Sequence, residues 1–173
     1  TTTGDPVDSL RLAEELAARE VTFIDTTILG SSQQVADGDV IVMAGGSAEA
    51  IAACSEVFDT FAQRTFAMGE SGSGAIAKLV ANLVLGLHRL VLAEGLALGE
   101  RAGVDPAAML DVLRAGSTFS RVMDIKGEKM IQRDYDPQGR LAQHLKDVEL
   151  IVELAERSSA QIPLTDLHRD LLD

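Results

Sequence analysis

The stretch that decides the fold is GSGAIAKLVANLVLGLHRL, residues 72–90. Ile76, Leu79, Val80, Leu83, Val84 and Leu87 cover most of the circumference of a helix, so the segment reads as a helix that must find apolar partners. Lys78 and Asn82 interrupt it. They lie four residues apart, about one turn, and so project from one face. Two readings of the pair stand side by side. Lys78 can snorkel out of a buried helix while Asn82 bonds a neighbouring backbone. Alternatively the pair lines a cleft, where a lysine exchanges a proton with a substrate oxygen and an amide positions the same group. An apolar cleft would bring the lysine pKa toward the working range.

Outward from this segment the two sides differ. On the C-terminal side the helix continues from about Ser73 to Ala102, near 45 Å long at ~1.5 Å per residue, with Gly103 as its stop. Asp105-Pro106 opens the next helix, which runs to Ala115. SRVMDIKGEKMIQ, a loop around RDYDPQG, a helix through LAQHLKDVELIVELAERS and a last helix after Pro163 complete an all-helical region. On the N-terminal side, Asp5 caps a helix with Pro6 in its first turn. VTFID (21–25) reads as a short strand and TTILGSSQQVADGD as a loop. DVIVMAGG reads as a strand buried on both faces, SAEAIAACSEVFDTFAQ as a helix capped by Ser47, and RTFAM (64–68) as a third strand. The expected fold class is therefore an α/β remnant, the last strands and helices of a Rossmann domain, followed by an all-α domain with one long helix. The boundary falls at glycines 69, 72 and 74, giving domains 1–69 and 70–173.

Composition narrows the function. The 173 residues are 46% hydrophobic and carry a formal charge of −12. The apolar share suits a packed core, built from aliphatic side chains because aromatics are scarce and Trp is absent. The negative charge and the lack of a basic stripe speak against nucleic acid and anionic membrane as partners. The apolar run LVANLVLGL is too short for a bilayer, which takes ~20 residues, and no signal peptide is evident. The single cysteine, Cys54, cannot form an internal disulfide, which fits a reducing cytoplasm.

Gly72-Ser73-Gly74-Ala75-Ile76-Ala77 matches the dinucleotide fingerprint G-x-G-x-x-A. It is read as a decoy, a joint followed by a helix start. The fingerprint needs a second strand and an acid about 20 residues on, and the acid at that spacing, Glu94, is still inside the same helix. A P-loop is absent, and Gly69-Glu70-Ser71-Gly72-Ser73 misses a nucleophile elbow at its last position. His88, His144 and His168 show no metal-ligand spacing, and His88 and His144 read as structural or surface residues.

The order of motifs carries a resemblance. TTTGDP, Asp25 leading a loop, DGDVIVMAGG, G-x-x-x-K-x-x-x-N at Gly74, Lys78 and Asn82, LAEGLALGERAGVD and HLKDV (144–148) together resemble the β-hydroxyacid dehydrogenase family over essentially the whole chain. Its members include 3-hydroxyisobutyrate dehydrogenases and the tartronate, glyoxylate and succinic semialdehyde reductases. The resemblance implies an NAD- or NADP-dependent oxidoreductase that moves a hydride between the nicotinamide and a small 3-hydroxy acid or aldehyde acid. Lys78 would be the catalytic acid/base, Asn82 a substrate-binding residue, and Gly30 and Ser31 part of the substrate loop. Thr3 would contact the cofactor near the nicotinamide, and Lys146, next to Asp147, would approach the cofactor and close the cleft. A homodimer or higher homo-oligomer, built on the long helix, is implied too.

Two departures from the family pattern appear. Where the family usually has Ser-Gly-Gly to grip a substrate carboxylate, this chain has Leu29-Gly30-Ser31, and Leu29 offers no side-chain donor. The family's first βαβ unit, with its G-x-G-x-x-G and the acid that selects NAD or NADP, has no counterpart here. The chain is therefore expected to be the C-terminal part of a longer enzyme and to be inactive alone. A non-catalytic dimerisation module is the alternative from another class. Imine reductases share the fold but usually lack the lysine, so Lys78 weighs against them.

Overall fold

The run Val40-Ile41-Val42-Met43-Ala44 is apolar without alternation, and in the computed structural model it forms the central strand of the sheet. The structure describes residues 3–137 and 139–172. Three strands, β1 (Asp25–Leu29), β2 (Val40–Gly45) and β3 (Ala62–Gly69), lie in the order β1-β2-β3. β2 pairs antiparallel with β1 and parallel with β3. Around them stand α1 (Pro6–Ala17), α2 (Ser32–Ala36), α3 (Ala48–Ala53), α4 (Ser55–Phe58), α5 (Ser73–Arg101), α6 (Pro106–Ala115), α7 (Arg121–Ile131), α8 (Leu141–Ser158) and α9 (Pro163–Leu172).

The chain forms two compact units. The first comprises the residues through Ala81 together with Glu156–Ser158. Its core joins Val42 and Ala44 of β2 to Ile51 and Phe58, with Ile24, Ile28, Phe61 and Ala62 packed against them. Asp5 caps α1 by accepting from the Val7 N–H. It also takes a bidentate pair from Arg157, at 2.9 and 3.2 Å. The second unit comprises Asn82–Ala155 and the residues from Ser159. Its core is Leu92 and Leu96 of α5, Leu110 of α6, and Val122 and Met123 of α7. Gly127 lets α6 and α7 approach, since a Cβ there would meet Leu110 at 2.7 Å.

Three elements differ from the sequence expectation. One is α2 (Ser32–Ala36), a helix capped by Ser31 inside the segment expected to be loop. The first strand is Asp25–Leu29, not Val21–Asp25, so Thr26, Thr27, Ile28 and Leu29 are strand and not loop. The register explains the shift. Asp25 pairs with Gly45, the last residue of β2, and Gly46 then turns away at φ 143°. Among the described residues, 21–24 thus have no strand to pair with. The helix expected over 47–63 is broken at Cys54, where the backbone reaches φ −99°, ψ 1°. Ala62 and Gln63 belong to β3, held by the pairing of Val40 with Ala62. Phe58 and Phe61 meet edge to face at the turn between, with centroids 6.4 Å apart.

α5 runs for 29 residues. Among the described residues it is the one helix long and apolar enough, by length and composition, to cross a membrane, although its longest uninterrupted apolar run is short. Val80, Val84, Val91 and Leu98 leave it with a largely exposed apolar stripe.

Candidate active site

The start of α5 is built by a residue far away in sequence. The Asp25 carboxylate accepts from the backbone N–H groups of Gly72 and Ala75, both at 2.8 Å. These are donors at a helix N-terminus that would otherwise be orphaned, and the negative charge suits the positive end of the helix. The Thr27 hydroxyl donates to the Gly74 carbonyl at 2.8 Å. Gly74 has to be glycine, because a Cβ there would lie 2.6 Å from the Asp25 carbonyl oxygen and 2.9 Å from that of Met43. Gly72 takes φ 92°. The first turn of α5 is thereby locked onto β1 and β2, which sets the rotation of the helix and the direction in which Lys78 leaves it.

The same geometry tests the G-x-G-x-x-A match. A pyrophosphate would need the free N–H groups of the helix start. Those of Gly72 and Ala75 are already given to Asp25, and the glycines serve close packing against the strands. This helix start does not fit a dinucleotide phosphate, in agreement with the decoy reading.

Lys78 stands half-buried on α5 in the first unit, one turn before Asn82. Asn82 is buried in the second unit, and its Nδ2 donates to Asp147 Oδ2 at 2.9 Å. An ionised carboxylate only accepts, so this contact fixes the amide orientation, with the NH2 group toward Asp147. Lys146 is exposed beside the buried Asp147 on α8. In the second unit Asn82 is therefore joined to Asp147, the residue that follows Lys146. Thr3 is buried in the first unit, 7% exposed.

Gly30 and Ser31 follow β1 in the first unit. Gly30 has φ 150°, and a Cβ there would meet Val40 Cγ1 at 2.6 Å, so its smallness has a packing reason. Ser31 caps α2 in a reciprocal arrangement: its Oγ accepts from the Gln34 N–H at 3.3 Å, and its own N–H donates to Gln34 Oε1 at 3.0 Å. That leaves the Ser31 hydroxyl proton as the donor it can offer a ligand.

Sequence reasoning missed two features of the second unit. Asp147 as the partner of Asn82 left a faint signal in the Lys-Asp pair. His144 and His168 form a pair, with Nε2 atoms 3.2 Å apart, seated against Gly86, where a Cβ would be 2.6 Å from the His168 ring. Burial, and then the nearby Arg89, holds both imidazoles below their ordinary pKa; His168 adds to the effect on His144, and Asp147 opposes it. His88 is exposed. Among the described residues no group of three metal-ligating side chains comes together.

A sequence model described as the NAD binding domain of 6-phosphogluconate dehydrogenase matches residues 1–69. A second, described as NAD-binding of NADP-dependent 3-hydroxyisobutyrate dehydrogenase, matches residues 72–173. The cytokine-like nuclear factor N-PAC of Drosophila melanogaster is 30% identical over 169 residues, covering 98% of this chain and 28% of that protein. Glyoxylate/succinic semialdehyde reductase 1 of Arabidopsis thaliana is 28% identical, covering 94% of this chain and 56% of the reductase. The crystal structure of a 3-hydroxyisobutyrate dehydrogenase from Salmonella typhimurium superposes with a TM-score of 0.88 at 25% identity, covering 99% of this chain and 61% of that one. The chain thus spans between about a quarter and three fifths of the proteins it matches. A small three-stranded sheet with its helices, followed by an all-helical region with one long helix, is the corresponding part of that dehydrogenase fold. With one family description covering residues 72–173 and another covering 1–69, the chain belongs to the β-hydroxyacid dehydrogenases, whose cofactor is NAD or NADP.

Proposed function

We propose that the protein carrying this chain reduces a small aldehyde acid, or oxidises the corresponding 3-hydroxy acid, with Lys78 as acid/base. The observation that carries the reading is Lys78 on a helix whose first turn is clamped by Asp25, one turn before a buried Asn82 whose amide Asp147 orients. General acid catalysis needs a group held within reach of one oxygen, and a clamped helix start is a rigid mount for it. Bound NAD or NADP supplies or accepts the hydride. In the reducing direction Lys78 gives a proton from Nζ to the carbonyl oxygen; in the oxidising direction it takes the hydroxyl proton. Asn82 has a second N–H for the same substrate oxygen, and its amide oxygen can accept from the hydroxyl form. Ser31, through its hydroxyl, and Gly30, through close backbone approach, serve the substrate carboxylate. Thr3 and Lys146 are assigned to cofactor binding on the family resemblance, and the Rossmann part is taken to end near residue 69.

This reading places the protein in the cytoplasm as a homodimer or higher homo-oligomer, with the apolar stripe of α5 covered by a partner subunit and not by lipid. A non-catalytic dimerisation module is the second reading, favoured by the N-PAC relatives, whose name is that of a nuclear factor and not of an enzyme. The two separate in an assay of the whole protein with glyoxylate, succinic semialdehyde and tartronate semialdehyde, each with NADH and NADPH, beside a cyclic imine. Turnover of an aldehyde acid supports the proposal. Turnover of the imine alone, or of nothing, contradicts it.

A further inference from the structure

The helical unit contains a half-buried cluster of basic side chains that the hydride-transfer reading does not use. On α5, Gly86 and Arg89 follow Asn82 at spacings of four and three residues, so all three share one face. His144, one turn before Asp147 on α8, packs against Gly86 together with His168 of α9. The Arg89 Nε is buried and has no hydrogen-bond partner. Arg11, Arg114, Arg133, Arg157 and Arg169 all pair with carboxylates, whereas no ion pair forms at Arg89 among the described residues. Its electrostatic neighbours are basic: it acts against the protonated forms of His144, His168 and Lys126. A half-buried guanidinium that no ion pair compensates among the described residues, and that opposes protonation of the two imidazoles beside it, is an arrangement an anion would complete.

We propose that Arg89 and the His144–His168 pair bind a small oxyanion, a phosphoryl or carboxylate group, within the helical unit. A guanidinium fork matches such a group. The two Nε2 atoms, 3.2 Å apart, are close enough to donate to oxygens of one anion once both rings are protonated. A divalent cation is disfavoured at the same pair, because no third ligand is present among the described residues and the guanidinium charge opposes it.

Binding and protonation are linked. An anion favours charged imidazoles, so it draws protons onto His144 and His168, and affinity rises as pH falls through the histidine range. The other charged groups around the pair act differently. On α8, Asp147 already accepts from Asn82. On α7, Lys126 adds positive charge, while Lys129 is bonded to Asp134. On α9, Asp166, Arg169 and Asp170 pair among themselves.

The test is independent of the hydride-transfer reading. Histidine Cε1–H resonances of the chain are titrated by NMR from pH 5 to 8 in sulfate, in oxalate, and in sodium chloride at matched ionic strength. Sulfate stands for a phosphoryl group and keeps its charge over this range; oxalate stands for a carboxylate. The expected result is an upward move of the His144 and His168 midpoints in at least one of the two oxyanions, with exposed His88 unmoved. Which oxyanion acts identifies the source of the group. Arg89→Met should weaken that binding at least about tenfold, and Arg89→Lys, which keeps the charge but not the fork, should weaken it less. Midpoints that match those in chloride, or an Arg89→Met protein that is folded and binds as well as wild type, would overturn the proposal.

Discussion

At the residue scale, Asp25 does more than close a strand. Its two carboxylate oxygens are each spoken for by a backbone N–H of α5, and the site is buried, 6% exposed. Asp25→Ala would strand both donors and is expected to cost about 2–3 kcal/mol of stability, read as a lowered urea midpoint. Asp25→Asn, which keeps one acceptor, should cost less. The histidine pair carries a pH signature. Unfolded imidazoles titrate near 6.5, and both folded ones titrate lower. As pH falls through 6.5 the unfolded chain therefore takes up protons first, and stability should decline on acidification from that point to the folded midpoints, by at most about 1.4 kcal/mol per pH unit for each proton. A His144→Gln/His168→Gln double variant should flatten the denaturation profile over this window. What was legible at this scale is Lys78 and Asn82, because helical spacing alone sets them on one face. Asp25 and Arg89 were not legible as partners of anything, since their contacts depend on how elements far apart in sequence meet.

Glycine reads differently once elements are in place. Within one helix, Gly74 and Gly99 look alike in sequence. A Cβ at Gly74 would strike backbone oxygens of β1 and β2, whereas at Gly99 it would meet the flexible side chain of Met109 at 3.5 Å. Gly99→Ala should raise the thermal midpoint, worth up to about 1 kcal/mol from helix propensity. Gly74→Ala should lower it, with at least about 2 kcal/mol lost to the clash. The long helix and the all-helical second half were legible because periodicity over many residues is a strong signal. The first strand was not, since Val21–Ile24 and Thr26–Leu29 are equally rich in strand formers and the choice rests on pairing register with β2. The break at Cys54 had no Pro or Gly to announce it, and the early end of the helical segment follows from β3 claiming Ala62.

For the whole molecule, family membership was legible from motif order, while the substrate was not, because Leu29 replaces the expected donor and Ser31 spends its N–H on Gln34. The exposed stripe of α5 bears on assembly. Val91 and Leu98 are each 70% exposed, far more than an apolar helix face tolerates alone. Sedimentation should give at least twice the 18.3 kDa of this chain, and Val91→Glu with Leu98→Glu should return a monomer. The central claim is that Lys78 moves the proton. It is tested by comparing kcat of wild type and Lys78→Ala in the whole protein with an aldehyde acid as substrate, with circular dichroism to confirm an unchanged fold. The account predicts a fall of about 10²–10⁴-fold in kcat; a folded Lys78→Ala protein that turns over at the wild-type rate would contradict it.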